Sequence, residues 1–233
     1  MSYREHAPPP SLAPWLACTW EREGVGGAPV RVVPDGCIDV VWTEGVGARV
    51  VGANSRAFVV PLPNGTRVVG ARMRPGAAPA LLGVSGEAVL DATPAAHEVL
   101  GDDGRRLTER LDADDQHRVG VLIEALEGWA RALPDPLVQA AVVRLAKPRT
   151  GVVDVARDLA VSERQLRRRV ASAVGYGPKR LARVLRLQRA LHAARAGEEL
   201  ARVAFDAGYA DQAHFTNECS DLAGAPPSAL VAA

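Results

Sequence analysis

Residues 162–170 read SERQLRRRV, and four of the nine are arginines: Arg164, Arg167, Arg168 and Arg169. A guanidinium can donate two parallel hydrogen bonds to the O6 and N7 edge of guanine, and it also pairs with phosphate. Leu166, Val170 and Ala173 recur at the spacing of one buried helix stripe. At about 100° per residue, Arg164 and Arg168 then point away from that stripe, with Arg167 beside them and Arg169 nearer the core edge. The chemistry on offer is recognition of a polyanion by one exposed helix face. Glu163 lies four residues before Arg167, so the plain alternative is a solvated surface helix with an ion pair worth a few tenths of a kcal/mol.

Charge along the chain favours the first reading. Residues 144–195 hold fourteen basic and three acidic side chains, whereas residues 1–143 hold thirteen and eighteen, and residues 196–233 one and six. The whole chain of 233 residues has a formal net charge of only +1. Basic charge is therefore confined to one segment, the pattern expected of a nucleic-acid-binding element.

Two helices must position these arginines. Val152, Val155, Ala156 and Leu159 mark a short helix, Val161 ends a tight turn, and Ser162 opens the arginine helix with Gln165 as a capping box. Displaced by 49 residues, the pattern returns: Ser162 falls on Asp211, Leu166 on Phe215, Val170 on Cys219, Gly175 on Gly224 and Pro178 on Pro227. The sequence thus predicts two helix-turn-helix modules, at about 150–175 and 199–224, joined by a long helix over 178–195 that opens on Pro178. The second helix of each module is the one that enters a major groove.

With these residues in place, positions 150–231 resemble the tandem helix-turn-helix domain of AraC/XylS transcription regulators. The matching signature is Ala204, Gly208, Tyr209, Asp211, Phe215, Gly224 and Pro227, within VAFDAGYADQAHFTNECSDLAGAPPSAL. The resemblance implies two recognition helices in successive major grooves of promoter DNA. By motif position it assigns base contacts to Arg164, Arg167 and Arg168 in the first helix, and to Thr216 and Asn217 in the second. Phosphate contacts are expected from Ser162, Arg169, Lys179, Arg180, Arg183 and Gln212. The second helix departs from the family pattern: it offers Ala213, Glu218, Ser220 and Asp221 where basic residues are usual, and Cys219 where a bulky aromatic is usual. The first helix is therefore expected to dominate readout. RNA polymerase and a second copy of the chain are further expected partners.

Residues 12–75 read as β-rich. Short Val- and Trp-rich runs are separated by Gly, Pro and Asn, with Pro34-Asp35-Gly36 as a turn before CIDVVW. There Ile38, Val40 and Trp42 share one face, and Cys37, Asp39 and Val41 the other. From about residue 76 the periodicity turns helical, and Pro134 and Pro136 mark a boundary. The fold class is thus α+β with two domains. An N-terminal domain (1–133), a small barrel or cupin-like sheet with trailing helices, precedes an all-α tandem helix-turn-helix domain (134–233). The stretch with YREHAPPPSLAPWL and VVPDGCIDVVW resembles a domain found upstream of such DNA-binding domains in actinobacterial regulators. It either senses a small effector or dimerises, or it is a ligand-free platform. Cys37, Asp39, Trp42, Arg72 and Arg74 form the candidate effector pocket.

Other chemistries find little support. Cys18, Cys37 and Cys219 are far apart, and the five histidines have no metal-ligand spacing, so no metal or cofactor is expected. A DNA-repair enzyme fused to a helix-turn-helix would need a zinc cluster of four cysteines or a reactive Cys-His pair, so no enzyme is expected. The stretch GVGARVVG at 45–52 lacks phosphate-loop spacing. The N-terminus lacks a signal-peptide core and no apolar run reaches eighteen residues, so a cytoplasmic protein is expected.

Overall fold

The computed structural model describes residues 2–231. Seven strands come first: β1 (Ser2–His6), β2 (Leu16–Glu23), β3 (Val30–Val32), β4 (Asp39–Thr43), β5 (Gly47–Val51), β6 (Phe58–Val60) and β7 (Arg67–Met73). Five form an antiparallel sheet in the order β1-β2-β7-β4-β5, and β3 and β6 pair as a separate ribbon. The expected closure into a barrel does not occur. β1 and β5 remain the two edges of that sheet. The alternation of CIDVVW explains which residues face the helices. Ile38, Val40 and Trp42 are buried with Val50, Val69, Ala71 and Met73 beneath the helices.

Eleven helices follow among the described residues. The first four are α1 (Ala78–Leu82), α2 (Ala96–Leu100), α3 (Asp102–Ala113) and α4 (Arg118–Trp129). Leu107 and Leu111 of α3 and Leu122 and Leu126 of α4 cover the sheet. Trp42 is fixed there by its indole N–H, which donates to Asp112 at 2.7 Å, and by the Arg118 guanidinium 4.3 Å from its ring centre. Next come α5 (Pro136–Leu145), α6 (Val152–Asp158), α7 (Glu163–Val174), α8 (Pro178–Arg195), α9 (Leu200–Ala207), α10 (Gln212–Ala223) and α11 (Pro227–Val231). The Asp135 carboxylate caps α5 by accepting from the Leu137 N–H at 2.9 Å.

The hydrophobic cores do not follow the chain boundary near 134–136. One continuous cluster runs from the sheet through α3 and α4 to Leu166, Val170 and Val174 of α7 and Leu181 and Val184 of α8. A second contains Leu187 and Leu191 of α8 with Val203, Phe215, Cys219 and Leu222. The long helix α8 thus belongs to both. Close backbone approach reinforces the first cluster. The turn Gly86–Val89 meets the end of α7, where a β-carbon on Gly86 would lie 2.6 Å from backbone atoms of Val174 and Gly175. Only glycine fits that contact.

A candidate nucleic-acid interface on two helix-turn-helix modules

The pair α6–α7 and the pair α9–α10 are built alike. In the first, the Ser162 hydroxyl accepts from the Gln165 N–H at 3.2 Å, and the Gln165 side chain accepts from the Ser162 N–H at 2.9 Å. In the second, the Asp211 carboxylate accepts from the His214 N–H at 2.7 Å. These caps satisfy backbone donors that a helix start leaves free. Both second helices end in a left-handed glycine, Gly175 and Gly224. Arg189 of α8 ties the end of α5 to the second module, donating to the carbonyls of Ala146 after α5 and Ala207 of α9.

On α7, Leu166, Val170, Ala173 and Val174 are buried. Arg164, Arg167 and Arg168 are exposed on the opposite side, and among the described residues none has a hydrogen-bond or ion-pair partner. Arg169 lies elsewhere, as helical geometry required: its guanidinium pairs with the capping carboxylate of Asp135 at 3.0 Å. That contact ties α7 to α5 and occupies a group expected at a phosphate. Lys179, in the first turn of α8, is exposed. The neighbouring Arg180 instead donates to the Ser55 carbonyl at 2.7 Å, across to the N-terminal half.

The second module differs in charge. Gln212, Ala213 and Asn217 are exposed on α10, and Thr216 is half-buried. Glu218 is 6% exposed. It accepts from Arg183 at 2.8 Å and from Arg186 at 2.7 Å through both carboxylate oxygens. Burial alone would raise the Glu218 carboxyl; the hydrogen bonds from Arg186 and Arg183 outweigh it and hold it below the usual carboxylate range. Arg186 also stacks on Tyr209, 4.3 Å from the ring centre. Arg183 has a second partner, Asp221, at 2.9 Å. The Arg183 guanidinium is therefore an internal counterion of α10, which changes the phosphate role expected of it.

Of the five residues expected to form an effector pocket, Cys37, Asp39 and Arg72 come together, and Trp42 and Arg74 do not join them. Trp42 lies on the covered face of the sheet, and Cys37, Asp39 and Arg72 on the other. Arg74 is exposed and donates to the Ala13 carbonyl at 2.9 Å. Arg72 is met by Glu5 at 3.1 Å, Asp35 at 3.3 Å and Asp39 at 3.7 Å. Burial pushes the Asp39 carboxyl up to about 7; Arg72 opposes the shift and Asp35 adds to it. Burial, with Asp35 and Asp39, keeps the Cys37 thiol well above its ordinary value, so it is not an activated nucleophile. Tyr176, beside Gly36, brings the first module against this turn, and nothing in its sequence neighbourhood points to that contact.

Comparison with known proteins agrees with this geometry. Residues 155–233 match a family model described as a helix-turn-helix domain, and residues 4–94 match a domain of unknown function, DUF6597. ToxT from Vibrio cholerae is similar in fold: 10% identity, 99% of this chain and 98% of that chain covered, TM-score 0.51. An AraC-type transcriptional regulator from Chromobacterium violaceum matches at 24% identity over 42% of this chain and 90% of its own, TM-score 0.39. The C-terminal domain of AraT, a response regulator from Geobacillus stearothermophilus, matches at 20% identity over 42% and 85%, TM-score 0.40. No curated protein sequence matches the chain. Residues 155–233 are a helix-turn-helix domain. No helix among the described residues is long and apolar enough to cross a membrane.

Proposed function

We propose that this chain is a DNA-binding transcription regulator of the AraC type, which reads its operator chiefly through α7, with Arg164, Arg167 and Arg168 directed at base edges and Lys179 at phosphate. The observation that carries the reading is the set of three unpartnered guanidinium groups on the exposed face of a capped helix. Thr216, Asn217 and Gln212 give α10 a weaker, uncharged share. Selection of duplex sites from a random pool with the full chain tests this. The expected site spans two adjacent major grooves, about 10 base pairs apart, with stronger base preference in one half. Equal preference in both halves would refute the dominance of α7.

For residues 1–133 we favour a structural platform over an effector sensor. What supports this is the charge balance at Arg72, whose guanidinium already meets three carboxylates, and the core shared with α7 and α8. A thermal-shift screen against small organic acids, amines and sugars decides the matter. No compound should raise Tm. One that does so in the wild type, and fails to in Arg72→Ala, would restore the sensor reading.

A further inference from the structure

The second recognition helix has no arginine or lysine of its own between Gln212 and Ala223. Ala213, Asn217 and Asp221, four residues apart, run along one exposed strip of that helix. Besides Arg183 of α8, the charge facing the end of the strip comes from the other domain. Arg56, in the connection between β5 and β6, lies with its guanidinium 3.5 Å from the Asp221 carboxylate and with 72% of its side chain exposed.

The backbone on both sides of Arg56 is anchored. The Ser55 carbonyl accepts from Arg180 of α8 at 2.7 Å, and the Ser55 N–H donates to Asp91 at 2.5 Å. The Ala57 N–H donates to the Leu222 carbonyl of α10 at 2.8 Å. Arg31 of the ribbon donates to the neighbouring Ala223 carbonyl at 3.2 Å. Such fixing removes much of the ordering cost that a flexible arginine would bear on binding. Arg183 also meets Asp221, but Glu218 holds it from the other side. Of the two, only Arg56 is both largely exposed and held by a single long ion pair.

We propose that Arg56 is a DNA phosphate contact lent by the N-terminal domain to the second module. The interface with DNA is then composite: α7 brings its own charge, and α10 borrows it. The proposal rests on the reading of α7 and α10 as groove helices. It predicts a sequence-independent contribution, because phosphate contacts carry no base information.

The test uses the full chain, with binding to its selected duplex and to an unrelated duplex measured by fluorescence anisotropy over a salt series. Arg56→Ala should weaken both by roughly fivefold to tenfold at 0.1 M salt and reduce the slope of log K against log salt by about one. Arg56→Lys should keep the slope. In an Asp221→Asn background, Arg56→Ala should still lower it by about one. An unchanged slope in Arg56→Ala overturns the proposal. So does full recovery of the wild-type slope in the double variant, which would mean that Arg56 only cancels Asp221. Failure of the underlying reading shows separately, as wild-type protein that binds neither duplex.

Discussion

The two helix-turn-helix modules share a backbone plan and differ in where their charges point. On α7 three guanidinium groups face outward without partners, and the one acidic residue, Glu163, sits in the first turn, where the helix dipole favours it. On α10 the one buried carboxylate faces inward and draws Arg183 and Arg186 of α8 toward it. The same joining helix therefore gives its charge to the second module's core and leaves the first module's charge for a partner. The position matching Glu218 in the first module, Arg169, is also engaged inward, by Asp135, so the contrast lies in the outward positions: Arg164, Arg167 and Arg168 against Ala213, Thr216 and Asn217.

The largest effect that would break this contrast is on binding. Replacing Arg164 and Arg168 together with alanine should cost about 2–6 kcal/mol for the selected site, since each bidentate contact to guanine contributes about 1–3 kcal/mol. The salt dependence should flatten as well. Both side chains are exposed, so circular dichroism and Tm should be unchanged. Retained specific affinity in the folded variant would refute the role of α7.

Next in size is the buried carboxylate. Glu218→Ala leaves two arginines without their counterion and should destabilise the fold by about 3 kcal/mol, the lower part of the range for a broken buried pair, because Arg183 and Arg186 still reach water. The pH dependence follows from the direction of the shift. With its folded pKa depressed, Glu218 contributes stability that is present above the unfolded value of about 4.3 and is lost as pH falls through the lower folded value. Urea titrations from pH 6 to pH 3 should show a steeper loss for wild type than for Glu218→Gln. Parallel curves would mean that the network contributes nothing. The mirror experiment on the exposed strip of α10 is smaller: Thr216→Ala with Asn217→Ala should cost roughly 1 kcal/mol or less in binding, the scale of a lost neutral hydrogen bond. A loss as great as that of the α7 pair would mean that both helices read bases equally.

What sequence reveals divides along the same line. The modules, their caps and the outward set Arg164, Arg167 and Arg168 were legible because each depends on neighbours within one or two turns, repeated 49 residues on. The sheet's buried face was legible from the alternation of Ile38, Val40 and Trp42. The edge strand β1 was not, since SYREH has no alternation and becomes a strand only by pairing with β2. The inward turn of Glu218, the capture of Arg169 by Asp135 and the place of Arg56 depend on partners 32 to 165 residues away. Propensity and periodicity carry no information at that range. Strand parity puts Trp42 on the face opposite Cys37 and Asp39, so these residues cannot line one pocket.

The smallest prediction concerns the turns that orient the two recognition helices. Both have four residues, Leu159–Ser162 and Gly208–Asp211, yet they bend differently. In the second, the left-handed residue is Gly208, with φ of 90°. In the first, it is Ala160, one position later, with φ of 52°. An alanine in that region brings its β-carbon against the following carbonyl, which costs about 1–2 kcal/mol, whereas glycine meets no such penalty. Glycine also loses more backbone entropy on folding, by about 0.5–1 kcal/mol. Ala160→Gly should therefore stabilise the fold by on the order of 0.5 kcal/mol, the difference between the two terms. Gly208→Ala should destabilise it by more, because the added β-carbon would also lie 3.3 Å from the Arg149 backbone nitrogen. Neither change touches a proposed DNA contact, so the urea midpoint should move while operator affinity, measured well below that midpoint, stays constant. If affinity changed in one variant and stability did not, that turn would be setting the angle of its recognition helix, and the contrast between modules would be one of geometry as well as charge.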